Sequence, residues 1–404
     1  MAIQSKISRR MSQSAIIQAI ANYGPISRAS VSKMTGLSKQ TVSEIVANLE
    51  DDGWVRTVGQ TEGHIGRRAV VYEISPTAAT IASVDLGGTK VRVALCDLTG
   101  VVLSEFVEAT AAAGGRDVLQ QIARMVRSIA SSDGNSFADL HVAVIGVPGV
   151  LDPSSGGIKL APNISGIDQL DFADELRTLL DVEVFVENDV NLAALGEHWM
   201  GSRGENENLA YISIGTGIGS GLVLGGSLLR GSSGAAGEIG FLPFGADPFE
   251  AQSLKVGALE RRTATDAIIE GYLARSGKQK SVLEIFDAAT AADQDALNTL
   301  NDAAIQIARA IVAIVAVIDP TTVVVGGSIG ARDELLERII HHAERCYPRP
   351  IEIVKSRLGN HAALAGGAAV ALSHLHVSLF AEGQKGAEIS VPAPKIEAFK
   401  AKMS

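Results

Sequence analysis

The chain has 404 residues, 46% hydrophobic and 20% charged, with two cysteines and a formal net charge of −10. That length predicts two or three domains of an ordinary soluble protein. Cys96 and Cys346 make no disulfide framework, and the longest strongly apolar run, 305–318, is broken by Gln306 and Arg309. A disulfide scaffold, a membrane span and a signal peptide are therefore not expected, and a reduced cytoplasmic location is the default.

Residues 11–22 read as an amphipathic helix with Ile16, Ile17 and Ile20 on one side, stopped by Gly24-Pro25. Ser27 then caps a helix over 28–35, Gly36 supplies a turn, and Ser38 caps a third helix to about Asp51. Val42, Ile45, Val46 and Leu49 have core spacing, while Ser38, Lys39, Gln40, Thr41 and Ser43 lie at the end of that helix that enters a major groove. Gln can read adenine; Lys can read guanine or hold phosphate. Strands over 53–58 and 69–74 flank a Gly-rich loop, 59–68, carrying His64, Arg67 and Arg68. Three helices followed by strand, basic loop and strand make a winged helix–turn–helix over residues 1–75, with wing arginines suited to phosphate or the minor groove. This segment carries +3 and the remainder −13, so the head is the part expected to meet a polyanion. A three-helix protein-interaction module with a solvated basic loop is the alternative.

After the connector Ser75-Pro76-Thr77, apolar strands at 81–84 and 91–95 flank Asp85-Leu-Gly-Gly-Thr-Lys90. The turn's amides can face a phosphate, Asp85 can hold a phosphate-bound Mg²⁺, and Thr89 adds a hydroxyl; an ordinary Gly-Gly hairpin is the other reading. A strand at 101–108 completes a meander. A helix over 117–131, a strand at 140–146, a helix over 168–180, a strand at 182–186 and a helix over 190–200 follow. A second strand, 209–214, meets its own Gly-rich turn, Gly215-Thr-Gly-Ile-Gly-Ser-Gly221, and a return strand at 222–224. The likeness of the two starts predicts an internal duplication, with lobes over 80–200 and 201–378 and a cleft between. Helices are expected over 301–318, 331–346 and 362–376, with a strand at 322–325 ending in Gly326-Gly327. Residues 379–404 read as an unstructured or loosely docked C-terminal tail.

Asp189 follows a strand and starts a helix, where ligands of open α/β sheets gather, and its carboxylate can take a proton from a sugar hydroxyl. Glu187, Asn188, Asn163 and Glu238 offer fixed polar groups to a polyhydroxy ligand, although Asn188 or Asp189 also reads as a plain helix cap. The ordered set Asp85-Leu-Gly-Gly-Thr, Pro162-Asn163, Glu187-Asn188-Asp189, Gly215–Gly221, Gly237-Glu238-Ile239-Gly240 and Val325-Gly-Gly resembles the ROK family from about residue 80 to 378. That family holds bacterial sugar kinases and sugar-responsive repressors on an actin-like, hexokinase-like α/β fold. With its winged head, the chain is similar to the repressor branch.

By that resemblance Asp189 is the catalytic base if kinase activity is retained, and Asn163, Asn188, Asp189, Glu238 and Glu260 are sugar ligands. Asp85, Gly87, Gly88, Thr89, Gly215, Thr216, Gly217 and Gly219 belong to phosphate loops, and Gly326 and Gly327 to the nucleotide pocket. The family's pocket histidine is replaced by Phe241, and 244–260 lacks Cys and His, with Ala258 in a cysteine's place. A zinc thiolate site is thus not expected, and the usual glucose-like ligand is not expected to bind in the usual way. The expected protein is a sugar-responsive DNA-binding regulator of the repressor type, with no required cofactor, Mg-ATP optional and no membrane partner. Its partners are an inverted-repeat operator, a sugar or sugar derivative, and its own copies as a homodimer or dimer of dimers. The alternative is an ATP-dependent sugar kinase carrying a DNA-binding head.

Overall fold

The structure is a computed structural model and describes residues 2–60, 69–132, 139–152, 156–159, 164–201, 208–380 and 392–403. The head comprises α1 (Ala2–Tyr23), β1 (Ile26–Ser27), α2 (Arg28–Thr35), α3 (Lys39–Asp51), β2 (Val55–Gln60) and β3 (Val70–Ile74). Then come β4 (Thr80–Leu86), β5 (Lys90–Asp97), β6 (Val102–Ala109), α4 (Gly115–Ala130), β7 (Leu140–Val147), β8 (Val150–Leu151), β9 (Ile158–Lys159), α5 (Phe172–Leu180), β10 (Glu183–Asn188) and α6 (Asp189–Met200). The remainder is β11 (Leu209–Ile214), β12 (Ile218–Leu224), β13 (Ser227–Leu228), α7 (Ala251–Val256), α8 (Glu260–Thr263), α9 (Thr265–Ser276), α10 (Val282–Thr290), α11 (Gln294–Ile318), β14 (Thr322–Gly326), α12 (Asp333–Cys346), β15 (Ile353–Lys355), α13 (Ala362–Phe380) and α14 (Ile396–Lys400).

Local signals set the head. Ser27 Oγ accepts from Ser30 N at 3.2 Å to start α2, and Gly36, at φ 70°, ends it where a side chain would strain the backbone. Ser38 Oγ accepts from Thr41 N at 3.1 Å to start α3. Ile16, Ile17, Ile20, Val31, Val42, Val46 and Leu49 are buried together as the head's core. The first helix begins at Ala2 rather than near residue 11. No proline or glycine interrupts residues 2–10, so the helix continues beyond its amphipathic part. The three-stranded sheet runs β1-β3-β2, and the wing residues His64, Arg67 and Arg68 lie outside the described residues.

The duplication is explicit in the two large sheets, ordered β10-β7-β4-β5-β6 and β13-β12-β11-β14-β15. In both, a three-strand meander occupies one side and two later strands extend the other. In the second sheet β11 pairs antiparallel with β12 and parallel with β14, which pairs parallel with β15. Central strands buried on both faces explain the near-continuous apolar runs Ile81–Val84 and Val323–Val325. The helix α11, long and apolar enough by composition to cross a bilayer, instead lays Leu300, Ala304, Ile307 and Ile311 into the core against Tyr272, Phe286, Val323 and Ile339.

The chain groups into two compact units that are discontinuous in sequence. One contains Met1–Ile145, Ile164–Val186 and Gly367–Ser404; the other contains Gly146–Asn163 and Glu187–Gly366. Thus α6 belongs with the second sheet, not with the strand that feeds it. Two glycines explain this, because a Cβ at Gly219 would sit 3.3 Å from Val190 Cγ2 and one at Gly221 would sit 2.6 Å from Val190 O. At Gly221 helix and strand approach too closely for a side chain, and at Gly219 they are in tight contact. Toward the C-terminus α13 runs to Phe380, and among the described residues 392–403, Phe399 of α14 is fully buried.

Candidate ligand site and DNA-reading helix

The junction of β10 and α6 places Asn188 and Asp189. Asn188 is the N-cap: its Oδ1 accepts from Asn191 N at 2.9 Å, and its Nδ2 donates to Gly149 O at 2.9 Å. The capping role expected from sequence is present, and the second lone pair of Oδ1 keeps the residue compatible with a ligand. Asp189 is the first helical residue, with Oδ1 accepting from Val190 N at 2.9 Å. Asn163 lies outside the described residues.

Glu238 and Glu260 approach from the same unit. Burial raises the pKa of Glu238 above the usual carboxylate value. Burial also raises that of Glu260, opposed by the Ile218 N–H and reinforced by the charge of Glu238. A Cβ on Gly240 would lie 3.7 Å from Glu260 Oε2, which puts the Gly237–Gly240 turn directly on the Glu260 side chain. Such a set can accept hydrogen bonds from several hydroxyls at once, which suits a polyhydroxy ligand.

The glycine-rich turn 215–219 is cradled by side chains that sequence reasoning missed. A Cβ at Gly215 would lie 2.9 Å from Ser328 Oγ, and one at Gly217 would lie 2.6 Å from Glu260 Oε2. Thr265 donates to Gly215 O from both N (2.9 Å) and Oγ1 (2.8 Å). Gly326 ends β14 against the Tyr211 ring, and a Cβ there would come within 2.6 Å of Tyr211 Cζ. Gly327 has φ 85° and lies against the backbone of Ile214. Tyr211 is itself buried; burial and then the Glu197 charge push its phenol up, and Ser356 and the Gly327 backbone bond to it. Gly326 and Gly327 thus have packing reasons to be glycine.

In the other unit, Asp85 is not at a free strand end. It pairs with Arg92 across β4 and β5, and Arg92 Nη1 donates to Asp85 Oδ2 at 3.3 Å. The turn after it is closed by Gly87 N to Lys90 O at 2.9 Å, and Thr110 Oγ1 donates to Gly87 O at 2.7 Å. Thr110 N donates to the carbonyl of Thr89 at 3.1 Å, while Gly88 completes the turn.

The segment where the family holds zinc has no ligand set, and its side chains do not fit that ion. Other bonds hold it. Leu259 N donates to Gly240 O at 3.0 Å, and Arg261 Nη1 donates to both Glu250 Oε2 and Ser253 Oγ at 2.6 Å. Phe241 stands in the histidine position, 39% exposed, and Phe249 is 88% exposed.

At the head, Ser38 and Thr41 spend their hydroxyls on the cap of α3, 2.8 Å from each other. Ser43 Oγ accepts from Arg28 Nη1 at 3.1 Å, while Arg28 also reaches Glu50 (3.7 Å) and lies 4.8 Å over the Tyr72 ring. These residues hold helix, helix and sheet together. Lys39 and Gln40 are exposed at the helix start and make no side-chain hydrogen bond among the described residues, so they are the groups available to a groove.

A winged-helix head ahead of a duplicated α/β body, each half a meander with two added strands, defines a DNA-binding protein with an actin-like, hexokinase-like body. The chain belongs to the ROK family, whose profile matches residues 81–374, and residues 7–64 match the MarR family. It is similar to the xylose repressor of Bacillus subtilis, 28% identical over 378 residues, covering 91% of this chain and 96% of that one. It is similar to a glucokinase of Halalkalibacterium halodurans, 33% identical over 307 residues, covering 70% of this chain and 92% of that one. In fold it matches a crystal structure described as a ROK family transcriptional regulator, homolog of E. coli MLC protein, with a TM-score of 0.75, 24% identity and coverage of 93% and 98%.

Proposed function

We infer that this chain is a sugar-responsive, DNA-binding transcriptional regulator of the repressor type, with its kinase-like body as the sensor. One observation carries the reading. Head and body together are similar to a repressor over 91% of the chain, and the head exposes Lys39 and Gln40 where a groove-reading helix begins. Operator DNA is one partner and a sugar or sugar derivative the other, in the cytoplasm. A homodimer, or a dimer of dimers, on an inverted repeat fits a head that reads one half-site.

The ligand site consists of Asn163, Asn188, Asp189, Glu238 and Glu260. Phe241 presents an apolar ring where the family has histidine, so the ligand differs from glucose or sits differently. No cofactor is required. By the family resemblance, Asp85, Gly87, Gly88 and Thr89 in one unit, and Gly215, Thr216, Gly217, Gly219, Gly326 and Gly327 in the other, are the residues assigned to Mg-ATP, which would supply the phosphoryl group. Arg92 already neutralises Asp85, which weakens the first turn as a magnesium site.

Retention of Asp189 and likeness to a glucokinase favour a second reading, an ATP-dependent sugar kinase with a DNA-binding head. Asp189 would then accept the proton of the attacking hydroxyl. The deciding experiment measures release of operator-sized DNA by a sugar panel that includes D-xylose and D-glucose, alongside ATP turnover on the same sugars. A sugar that changes DNA affinity without turnover supports the regulator. Turnover of about 10 s⁻¹, typical of an enzyme, makes the kinase primary. Failure of the full chain to bind any DNA at low salt overturns the regulator.

A further inference from the structure

The loop between β13 and Glu238 is held at its base by a pair the sequence does not announce. Arg230 Nε donates to Glu187 Oε2 at 2.8 Å. The other oxygen, Glu187 Oε1, accepts from Asn188 N and from Asn191 Nδ2, both at 3.0 Å. Glu187 is therefore occupied at both oxygens. Read from sequence as an acceptor for ligand, it serves as a brace across the strand–helix junction. Arg230 is bound at its other end too: its carbonyl accepts from Ala236 N at 3.1 Å, closing the neck of the loop. Beyond that neck, Gly237 O accepts from Ser220 N and Ser220 Oγ, both at 3.0 Å. Glu238 itself makes no side-chain hydrogen bond among the described residues, so its position depends on the loop that carries it.

We propose that Arg230 is the positioning residue of the ligand site. Through Glu187 it ties the Glu238 loop to the turn that presents Asn188 and Asp189, and so sets the spacing between Asp189 and Glu238. The tie is one of position more than of stability. The Arg230 side chain is 55% exposed, and half-exposed ion pairs add little to global stability. Acceptors that grip a ligand, in contrast, must be held within about 0.5 Å of their working geometry. Three glycines, Gly231, Gly234 and Gly237, all at positive φ, carry the chain from Arg230 to Glu238; the Ser220 bonds to Gly237 O fix the loop against β12, and Arg230 fixes its other end to the Glu187 turn. The guanidinium also cancels the Glu187 charge, which would otherwise add to those of Asp189, Glu238 and Glu260. The identity of the ligand rests on the sensor reading above; the geometry does not.

The test compares the full-length wild type with Arg230→Gln, Arg230→Lys, Glu187→Gln and the double variant Arg230→Gln/Glu187→Gln. Without ligand, hydrogen–deuterium exchange of peptides spanning 186–192 and 229–240 should rise about tenfold in Arg230→Gln, with β14 and α11 unchanged. Arg230→Lys should recover part of the protection, and the double variant should resemble the single ones, because the two residues act as one unit. Titration with D-xylose and D-glucose should show about a tenfold affinity loss in Arg230→Gln for whichever sugar the wild type binds. Exchange in Arg230→Gln within twofold of wild type, or raised equally in β14, overturns the proposal. So do additive effects in the double variant. Absence of sugar binding by the wild type counts against the sensor reading, while the exchange data still decide the role of Arg230.

Discussion

Glu260 accepts a hydrogen bond from the backbone N–H of Ile218 at 3.0 Å, so a side chain expected to hold sugar also closes the glycine-rich turn expected to hold phosphate. Ile218 is only 5% exposed. Glu260→Ala should leave that donor unpaired and cost about 1–3 kcal/mol. Glu260→Gln, whose amide oxygen can face Ile218, should cost much less. Thermal unfolding of the two variants side by side checks this, and equal losses would contradict the assignment.

Glu238 gives the protein a pH dependence. Its folded pKa is raised by burial, so between its ordinary value and that raised value the folded state binds more protons than the unfolded state. Stability attributable to this group therefore falls as pH rises through that window and is lowest above it. Glu238→Gln should raise Tm at pH 8, where the wild-type carboxylate is charged, and should gain little at pH 4. A variant Tm below wild type at pH 8 would show that the carboxylate is paired after all.

On DNA, Lys39 and Gln40 should behave differently from Ser43. Gln40→Ala should relax base preference at one position, and Lys39→Ala should lower the salt slope by about one if it meets one phosphate. Ser43→Ala should act on the head's stability instead, because Ser43 is bonded to Arg28. Anisotropy titrations at several salt concentrations separate these outcomes.

Asp189→Asn distinguishes sensing from catalysis. An amide cannot take a hydroxyl proton but can still hydrogen-bond a ligand, so any phosphorylation should vanish while sugar binding weakens by about 1–2 kcal/mol. Ligand-controlled DNA binding that survives in the variant, with no turnover in wild type, supports the regulator. Loss of folding, seen by circular dichroism, would instead show that Asp189 is needed at the start of α6.

Metal analysis should find no stoichiometric zinc in protein purified without added metal. Arg261, bonded to Glu250 and Ser253, holds the segment that carries the family's thiolates. One zinc per chain that survives mild chelation would refute this. Arg261→Ala should then loosen 244–260, visible as faster proteolysis there.

Much of the molecule follows from signals that act within a few residues. Ser27, Gly36 and Ser38 set the bounds of α2 and the start of α3, because caps and left-handed turns depend on the local backbone alone. The two Gly-rich hairpins announced the duplicated meander for the same reason. Ser281 and Glu284 are a local signal of the same kind: they form a reciprocal capping box, with Glu284 Oε2 accepting from Ser281 N at 2.8 Å, and start α10. Other features were settled only when distant segments met. Glu187 read as a ligand acceptor until Arg230, 43 residues away, took one of its oxygens. Glu260 became the partner of an amide 42 residues earlier. Phe399, in a segment whose sequence reads as unstructured or loosely docked, is fully buried. Caps and periodicity are properties of neighbouring residues and are written in their order. Burial, ion pairing and a shifted pKa belong to whichever remote side chains the fold brings together, and only the tertiary structure decides those.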